Sequence, residues 1–408
     1  MSNPANANLL REQAQLHTEM QLPEGDVSTY RMWCDGNSPY SWKLRSYMHY
    51  KGIPYQRMRS NMTAYMSLIP EKVGMSIIPV LLTPDDQVLQ DSTPIMQRFE
   101  QQYPQRASVP DDPALEFLMW LLEDFGDEYL VRFAMHYRWG NDLNRQALSH
   151  RLARSMCYGV PEAHPTQLAP MVLDRQSGFD LPLGLSDADS RRSLDEQLLE
   201  LLGILDLHFE QFQFLLGDRP SLADFAVFGQ LYAHLYQDPF SAELMERHGA
   251  RTCNWIETLL ELGDTRGAVG QTVFGDWLDL AAGVPDSLRR LLNFVAKTYL
   301  PYSAGTARTL AAGEKQFSVK IFGVASRFVA AQYKAWSFEQ VQLRLQALAP
   351  NVREQLDSVL AASGLLPGLM ADGIYHVSLF DGFTPPLVKD GVADAKLRYL
   401  RDKQANSG

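Results

Sequence analysis

The sequence predicts a small α/β unit, then an all-helical domain, then a further mostly helical region. Three observations support this fold class. Residues 26–104 run strand–helix–strand, then strand–strand–helix. Residues 114–262 repeat apolar and aromatic side chains at helical spacing. Residues 263–408 return to helical patterning between glycine and proline clusters. The 408 residues exceed one ordinary core and fit two or three domains.

Residues 1–25 lack periodicity and are expected to form a flexible tail. Tyr30-Arg-Met-Trp-Cys34 is a strand rich in bulky residues. After the turn Asp35-Gly36-Asn37, residues 41–50 are helical, and Gly52 supplies the stop. Ile53-Pro54-Tyr55 opens a second strand and residues 77–82 form a third. Pro84-Asp85-Asp86 is a turn signal leading to a short fourth strand at Val88-Leu89. Ser92-Thr93-Pro94 starts a helix, with proline in the first turn, where its missing N–H costs nothing.

Pro110 and Pro113 mark a linker. From Phe117 an apolar or aromatic residue recurs every fourth position, through Leu121, Phe125, Tyr129 and Phe133 to Tyr137. That stripe winds around a helix, which is then buried on more than one side or bends near Gly126. Ser193–Glu196 has the form of a capping box opening a helix over 198–216. Ser221–Asp224 is a second such box, and 256–262 closes the helical domain. In the extension, 288–295, 319–334 and 338–348 have helical patterning, and Ser337–Gln340 resembles a cap. Clusters at 363–373 and 382–391 interrupt it.

Hydrophobic residues make up 46% and charged residues 21%, the composition of a folded globular chain. No apolar run reaches about 18 residues, so no membrane-spanning helix is expected. The polar N-terminus has no hydrophobic core region, so no secretory signal is expected, and three cysteines do not make a disulfide framework; a cytoplasmic setting is expected. A net charge of −11 without a basic run disfavours nucleic acid or an anionic membrane as partner. The nine histidines show no ligand-pair spacing, so no metal site is expected.

Ser38-Pro39-Tyr40-Ser41 follows the first strand. It looks like the Cys-Pro-Tyr-Cys dithiol of a glutaredoxin with both sulfurs replaced by oxygen. Two hydroxyls cannot form a disulfide, so dithiol redox chemistry is removed. A hydroxyl at a helix start can still donate a hydrogen bond to a bound thiolate, helped by the helix dipole. The motif points to a chain that uses glutathione without itself cycling between thiol and disulfide.

Four motifs in order, Ser38 to Arg45, Ile78-Pro79-Val80-Leu81, Gln90-Asp91-Ser92 and the box within Arg219–Phe225, resemble the cytosolic glutathione S-transferase family. The resemblance covers roughly residues 28–262, and the first motif is most similar to serine-type classes, zeta or omega-like. It implies a thioredoxin-like N-terminal domain over 26–104, an all-α C-terminal domain over 114–262 and an extension over 263–408. It further implies a homodimeric detoxification enzyme in which glutathione, as co-substrate, attacks a small hydrophobic electrophile or assists an isomerisation or a reductive cleavage. Ser38 matches the position that contacts the glutathione sulfur. Ile78 matches the residue whose backbone pairs with the cysteinyl part, and Pro79 the family's cis-proline. Asp91 and Ser92 match the pair at the γ-glutamyl end. The glycyl carboxylate is left to Arg59 or Lys72, because the segment between Pro70 and Pro79 is longer than the family's.

A free thiol of pKa near 8.5 is roughly 3% thiolate at pH 7, and lowering it by about two units gains roughly 25-fold in nucleophile. Holding the electrophile close supplies the rest. Tyr40 and the helix carrying His136, Tyr137 and Trp139 are the candidates for that pocket. Structural readings stand beside these: Ser38 as a cap only, Ser41 as a first-turn residue, Cys34 as a core thiol, Asp91 and Ser92 as a strand end and a cap. Met48, Met58, Met62 and Met66 are read as packing. Glu123, Asp124, Asp127 and Glu128 are read as a solvated or arginine-paired helix face. A non-catalytic glutathione-binding or protein-interaction module is the alternative function.

Overall fold

The computed structural model describes residues 29–85, 87–160, 163–262, 274–370 and 373–376. The expected tail at 1–25, Asp86 of the expected turn and the cluster at 382–391 lie outside the described residues.

The N-terminal unit is a four-stranded sheet in the order β2-β1-β3-β4, built from β1 (Tyr30–Cys34), β2 (Tyr55–Arg59), β3 (Val80–Leu82) and β4 (Val88–Gln90). β1 lies parallel to β2 and antiparallel to β3, and β4 returns antiparallel on β3. α1 (Pro39–Lys51) crosses between the parallel strands and ends at Gly52, whose φ of 69° suits a residue without a Cβ. α3 (Ser92–Gln102) follows β4. This is the thioredoxin-like arrangement the sequence predicts. The long segment before Pro79 folds as a π-helical turn, Ala64–Leu68, running into α2 (Ile69–Val73). Its Ile69 and Val73 pack under the sheet with Trp33 and Val80.

The helical domain contains α4 (Pro113–Tyr129), α5 (Val131–Gly140), α6 (Asp142–Cys157), α7 (Pro165–Ser177), α8 (Ala188–His208), α9 (Leu222–Leu231), α10 (Pro239–His248) and α11 (Ala250–Glu261). The aromatic stripe divides at Leu130 and not at Gly126. Gly126 is instead a contact point: a Cβ there would lie 3.0 Å from the backbone nitrogen of Val227, where α4 meets α9. The Ser221 box forms, its serine capping Asp224 while the Asp224 carboxylate accepts the Ser221 amide at 2.8 Å. The predicted box at Ser193 does not open a helix. Asp187 caps α8 upstream, accepting the Ser190 amide at 2.8 Å, so Ser193 sits inside the helix and accepts from Gln197.

The extension comprises α12 (Asp286–Ala311), the hairpin β5 (Gln316–Ile321) and β6 (Val324–Val329), α13 (Gln332–Ala347), α14 (Pro350–Ala362) and α15 (Leu366–Met370). The hairpin replaces the helix expected over 319–334. Phe317, Val319 and Ile321 alternate inward, the period of a strand, and Phe322-Gly323 turns with both φ angles positive. Phe317 and Phe328 stack across the strands at 5.3 Å. Ser337 lies inside α13 and is not its cap. All three regions share one core: Tyr47 of α1, Leu118 of α4, Phe225 of α9, Phe294 of α12 and Leu345 of α13 belong to the same buried cluster.

Candidate active site

Ser38 is the N-cap of α1, with extended backbone at φ −96° and ψ 123°. Its Oγ accepts the Ser41 amide at 3.2 Å, which leaves the hydroxyl proton free to donate. The side chain lines a cavity of about 1130 Å³. Ser41 is fully buried; its Oγ accepts the Asp35 amide at 3.3 Å, and it does not line the cavity. The loop before Ser38 is pinned by Arg138 of α5, which donates to the Asn37 carbonyl at 3.0 Å while paired with Asp238 at 2.8 Å.

The peptide bond between Ile78 and Pro79 is cis, and both residues line the same cavity. Asp91 and Ser92 line it from the end of β4 and the first turn of α3. Asp91 has φ 84°, an uncommon conformation for a residue other than glycine, and makes no capping bond with its side chain. Its Oδ2 accepts a hydrogen bond from the Tyr333 hydroxyl at 2.6 Å. Burial pushes the Asp91 carboxyl up to about 6, against the Tyr333 bond and the nearby Lys43 charge.

Beneath this site the acidic face of α4 is buried, not solvated, and its cations are lysines, not arginines. Lys43 of α1 pairs with Glu123 and Asp127 and donates to Thr93 at 2.7 Å. Burial alone disfavours the Lys43 ammonium, but the two carboxylates outweigh it and hold it charged. Lys334 of α13 pairs with Glu128 at 2.9 Å. Asp124 accepts from Tyr299 and Ser337; burial, and next the Glu128 charge, push it up to about 7. The extension covers the face that a two-domain reading leaves to solvent.

Tyr40 presents its ring to the cavity and donates its hydroxyl to the Asp127 carbonyl at 3.1 Å. His136 and Tyr137 are turned away from the cavity. The His136 Nε2 lies 2.8 Å from the Asp195 carboxylate on α8, and Tyr137 is buried against Phe240. From α5 it is Val131, Met135, Arg138 and Trp139 that line the space, joined by Met156 and Met171 from α6 and α7. Met62 and Met66, expected to pack, also line it. Arg59 lies outside this cavity, and so does the exposed Lys72. The extension contributes Tyr302, Val329, Tyr333 and Lys334; nothing in the sequence around them has the form of a known motif. Among the described residues no group of three or more His, Cys, Asp or Glu is placed to hold a metal.

Residues 36–107 match the family model for the glutathione S-transferase N-terminal domain, and residues 161–262 that for the C-terminal domain. These two segments are glutathione S-transferase domains. The cavity lies between them and is lined in part by the extension, which neither model covers. Among solved structures, the beta-etherase LigF from Sphingobium sp. strain SYK-6 is 16% identical with a TM-score of 0.43, over 57% of this chain and 94% of that one. FzlA from C. crescentus is 18% identical with a TM-score of 0.38, over 57% and 87%. The glutathione transferase URE2P6 from Phanerochaete chrysosporium, in complex with oxidized glutathione, is 16% identical with a TM-score of 0.34, over 57% and 91%. These likenesses bear on neither substrate nor reaction. No curated protein matches the chain. Among the described residues no helix is long and apolar enough to cross a membrane.

Proposed function

We propose that the chain is a serine-type glutathione transferase. The observation that supports this most is the placement of the Ser38 hydroxyl, at the start of α1, in the same cavity as Ile78, Pro79, Asp91 and Ser92. In this reading the Asp91 carboxylate pairs with the α-ammonium of glutathione. Ser92 and the first amides of α3 receive the γ-glutamyl carboxylate. The Ile78 backbone holds the cysteinyl part and brings the sulfur to Ser38. The Ser38 hydroxyl donates to the thiolate and lowers its pKa. The thiolate then attacks a small apolar electrophile seated against Met135, Trp139 and Met171, forming the S–C bond as the electrophile's leaving group departs with its electron pair. The homodimer implied by the resemblance and the cytoplasmic setting expected from the sequence belong to the same reading. Light scattering on the full-length chain tests the first.

Ser38→Ala keeps glutathione binding and lowers turnover at pH 7 by about 10- to 25-fold, the thiolate gained from roughly two pKa units. Binding is read by calorimetry and turnover with several generic electrophiles. Unchanged turnover removes Ser38 from the chemistry. A second reading, a non-catalytic binding module, is favoured by the Tyr333 hydroxyl on Asp91, since the extension already engages the carboxylate assigned to glutathione. Glutathione binding without turnover of any electrophile class would favour that reading.

A further inference from the structure

A second pocket of about 360 Å³ adjoins the main cavity and shares Asp35, Asn37 and Ser155 with it. Four arginines line it: Arg57 and Arg59 from β2, Arg151 and Arg154 from α6. The spacing explains the convergence. Residues two apart on a strand share a face, as do residues three apart on a helix. Two elements therefore each direct a pair of guanidinium groups into one concavity.

Neighbouring contacts hold part of this set in place. The Arg59 guanidinium lies 3.4 Å above the Tyr158 ring centre. Arg151 donates to the Gln237 carbonyl at 2.9 Å and pairs with Asp238 at 3.2 Å. Arg57, Arg59 and Arg154 have no carboxylate within ion-pair distance among the described residues. Asp35 is the acidic residue in the lining, and its oxygens accept from Asn37 and Ser155. In a chain of net charge −11, this is a concentration of positive charge against the overall balance. Guanidinium groups suit carboxylate and phosphate because their planar forks donate in pairs.

We propose that this pocket is an oxyanion subsite for the acceptor substrate, so that the electrophile joined to glutathione carries a carboxylate or phosphate. The inference rests on the transferase reading: the shared wall at Asn37, next to Ser38, lets one ligand place its reacting carbon over the sulfur and its anion among the arginines. An acceptor bound this way is amphipathic, with its apolar body against the methionine-lined wall.

The test uses the full-length protein, an Arg57→Gln/Arg154→Gln double variant and, should that variant fail to fold, Arg154→Gln alone. Inorganic phosphate is titrated calorimetrically in the absence of glutathione; its affinity is expected to fall about tenfold or more in the variant. An aromatic electrophile bearing a carboxylate is then compared with its methyl ester. The acid's KM is expected to rise about tenfold in the variant, the ester's far less, and the KM for glutathione to stay nearly constant. Equal phosphate binding in both proteins, or none in either, overturns the subsite. A rise in the KM for glutathione with no difference between acid and ester overturns the assignment to the acceptor and gives the pocket to the glycyl carboxylate. Because the phosphate titration needs no turnover, the subsite can stand while the transferase reading fails, and the reverse.

Discussion

Removing the Tyr333 hydroxyl should move the pH at which glutathione binds. Asp91 sits in a buried setting with its carboxyl raised to about 6, and the Tyr333 bond at 2.6 Å is one of the influences holding it that low. A hydrogen bond to a charged group contributes about 1.5–3 kcal/mol, and one pKa unit is about 1.4 kcal/mol. Tyr333→Phe therefore raises the Asp91 carboxyl by about one to two units. The ionised carboxylate pairs with the α-ammonium, so affinity is present above the Asp91 pKa and lost as pH falls through it. In the parent protein that loss is centred near 6. In the variant it is centred at least about one unit higher, and at pH 7 the parent binds glutathione more tightly. The assay is the calorimetric Kd for glutathione from acid to mildly alkaline pH in both proteins. The same acid limb in both, or no acid limb in either, would refute the pairing of Asp91 with the ammonium and the influence of the extension on it.

Two further outcomes follow from the buried charges. Lys43→Met leaves Glu123 and Asp127 without their cation and should cost about 3–5 kcal/mol, read as a lower urea midpoint at unchanged slope. A loss under about 1 kcal/mol would mean that the carboxylates find another partner or take up protons at little cost. His208 is fully buried, and burial lowers its pKa to about 4, below the unfolded value near 6.5. Its neutral form is the one the fold accepts. Its contribution is complete above about pH 6.5 and is lost as pH falls through about 4, at up to about 1.4 kcal/mol per pH unit. His208→Asn should flatten that part of the urea-midpoint profile between neutral and acid pH.

The thioredoxin-like unit was legible because its signals are local. Ser38 before a helix, Gly52 after it, Pro79 before β3 and Asp91-Ser92 before α3 each act on their own backbone, and each sits where its local pattern placed it. The Ser221 box was legible for the same reason. The Ser193 pattern misled because a cap acts only if no earlier residue has started the helix, and Asp187 had. Residues 319–334 mislead because their apolar density resembles a helical period, although Phe322-Gly323 between alternating runs is a hairpin signal. The acidic face of α4 is polar in sequence whether solvent or α13 covers it; only tertiary packing distinguishes the two. His136 and Tyr137 lie on α5, but Met135 and Trp139 take the cavity, because where α5 begins, after the break at Leu130, decides which face turns inward. Tyr333 lies 242 residues from Asp91 in the chain, beyond the reach of any local pattern.

In the proposed function the Ser38 hydroxyl stabilises a thiolate that arrives with the substrate. The ultraviolet absorbance of the thiolate, followed against pH for glutathione bound to the parent protein and to Ser38→Ala, tests it most directly. In the parent the bound thiol is expected to titrate about two units below the free value near 8.5, and in the variant to move back toward that value. Identical titrations in the two proteins would contradict it.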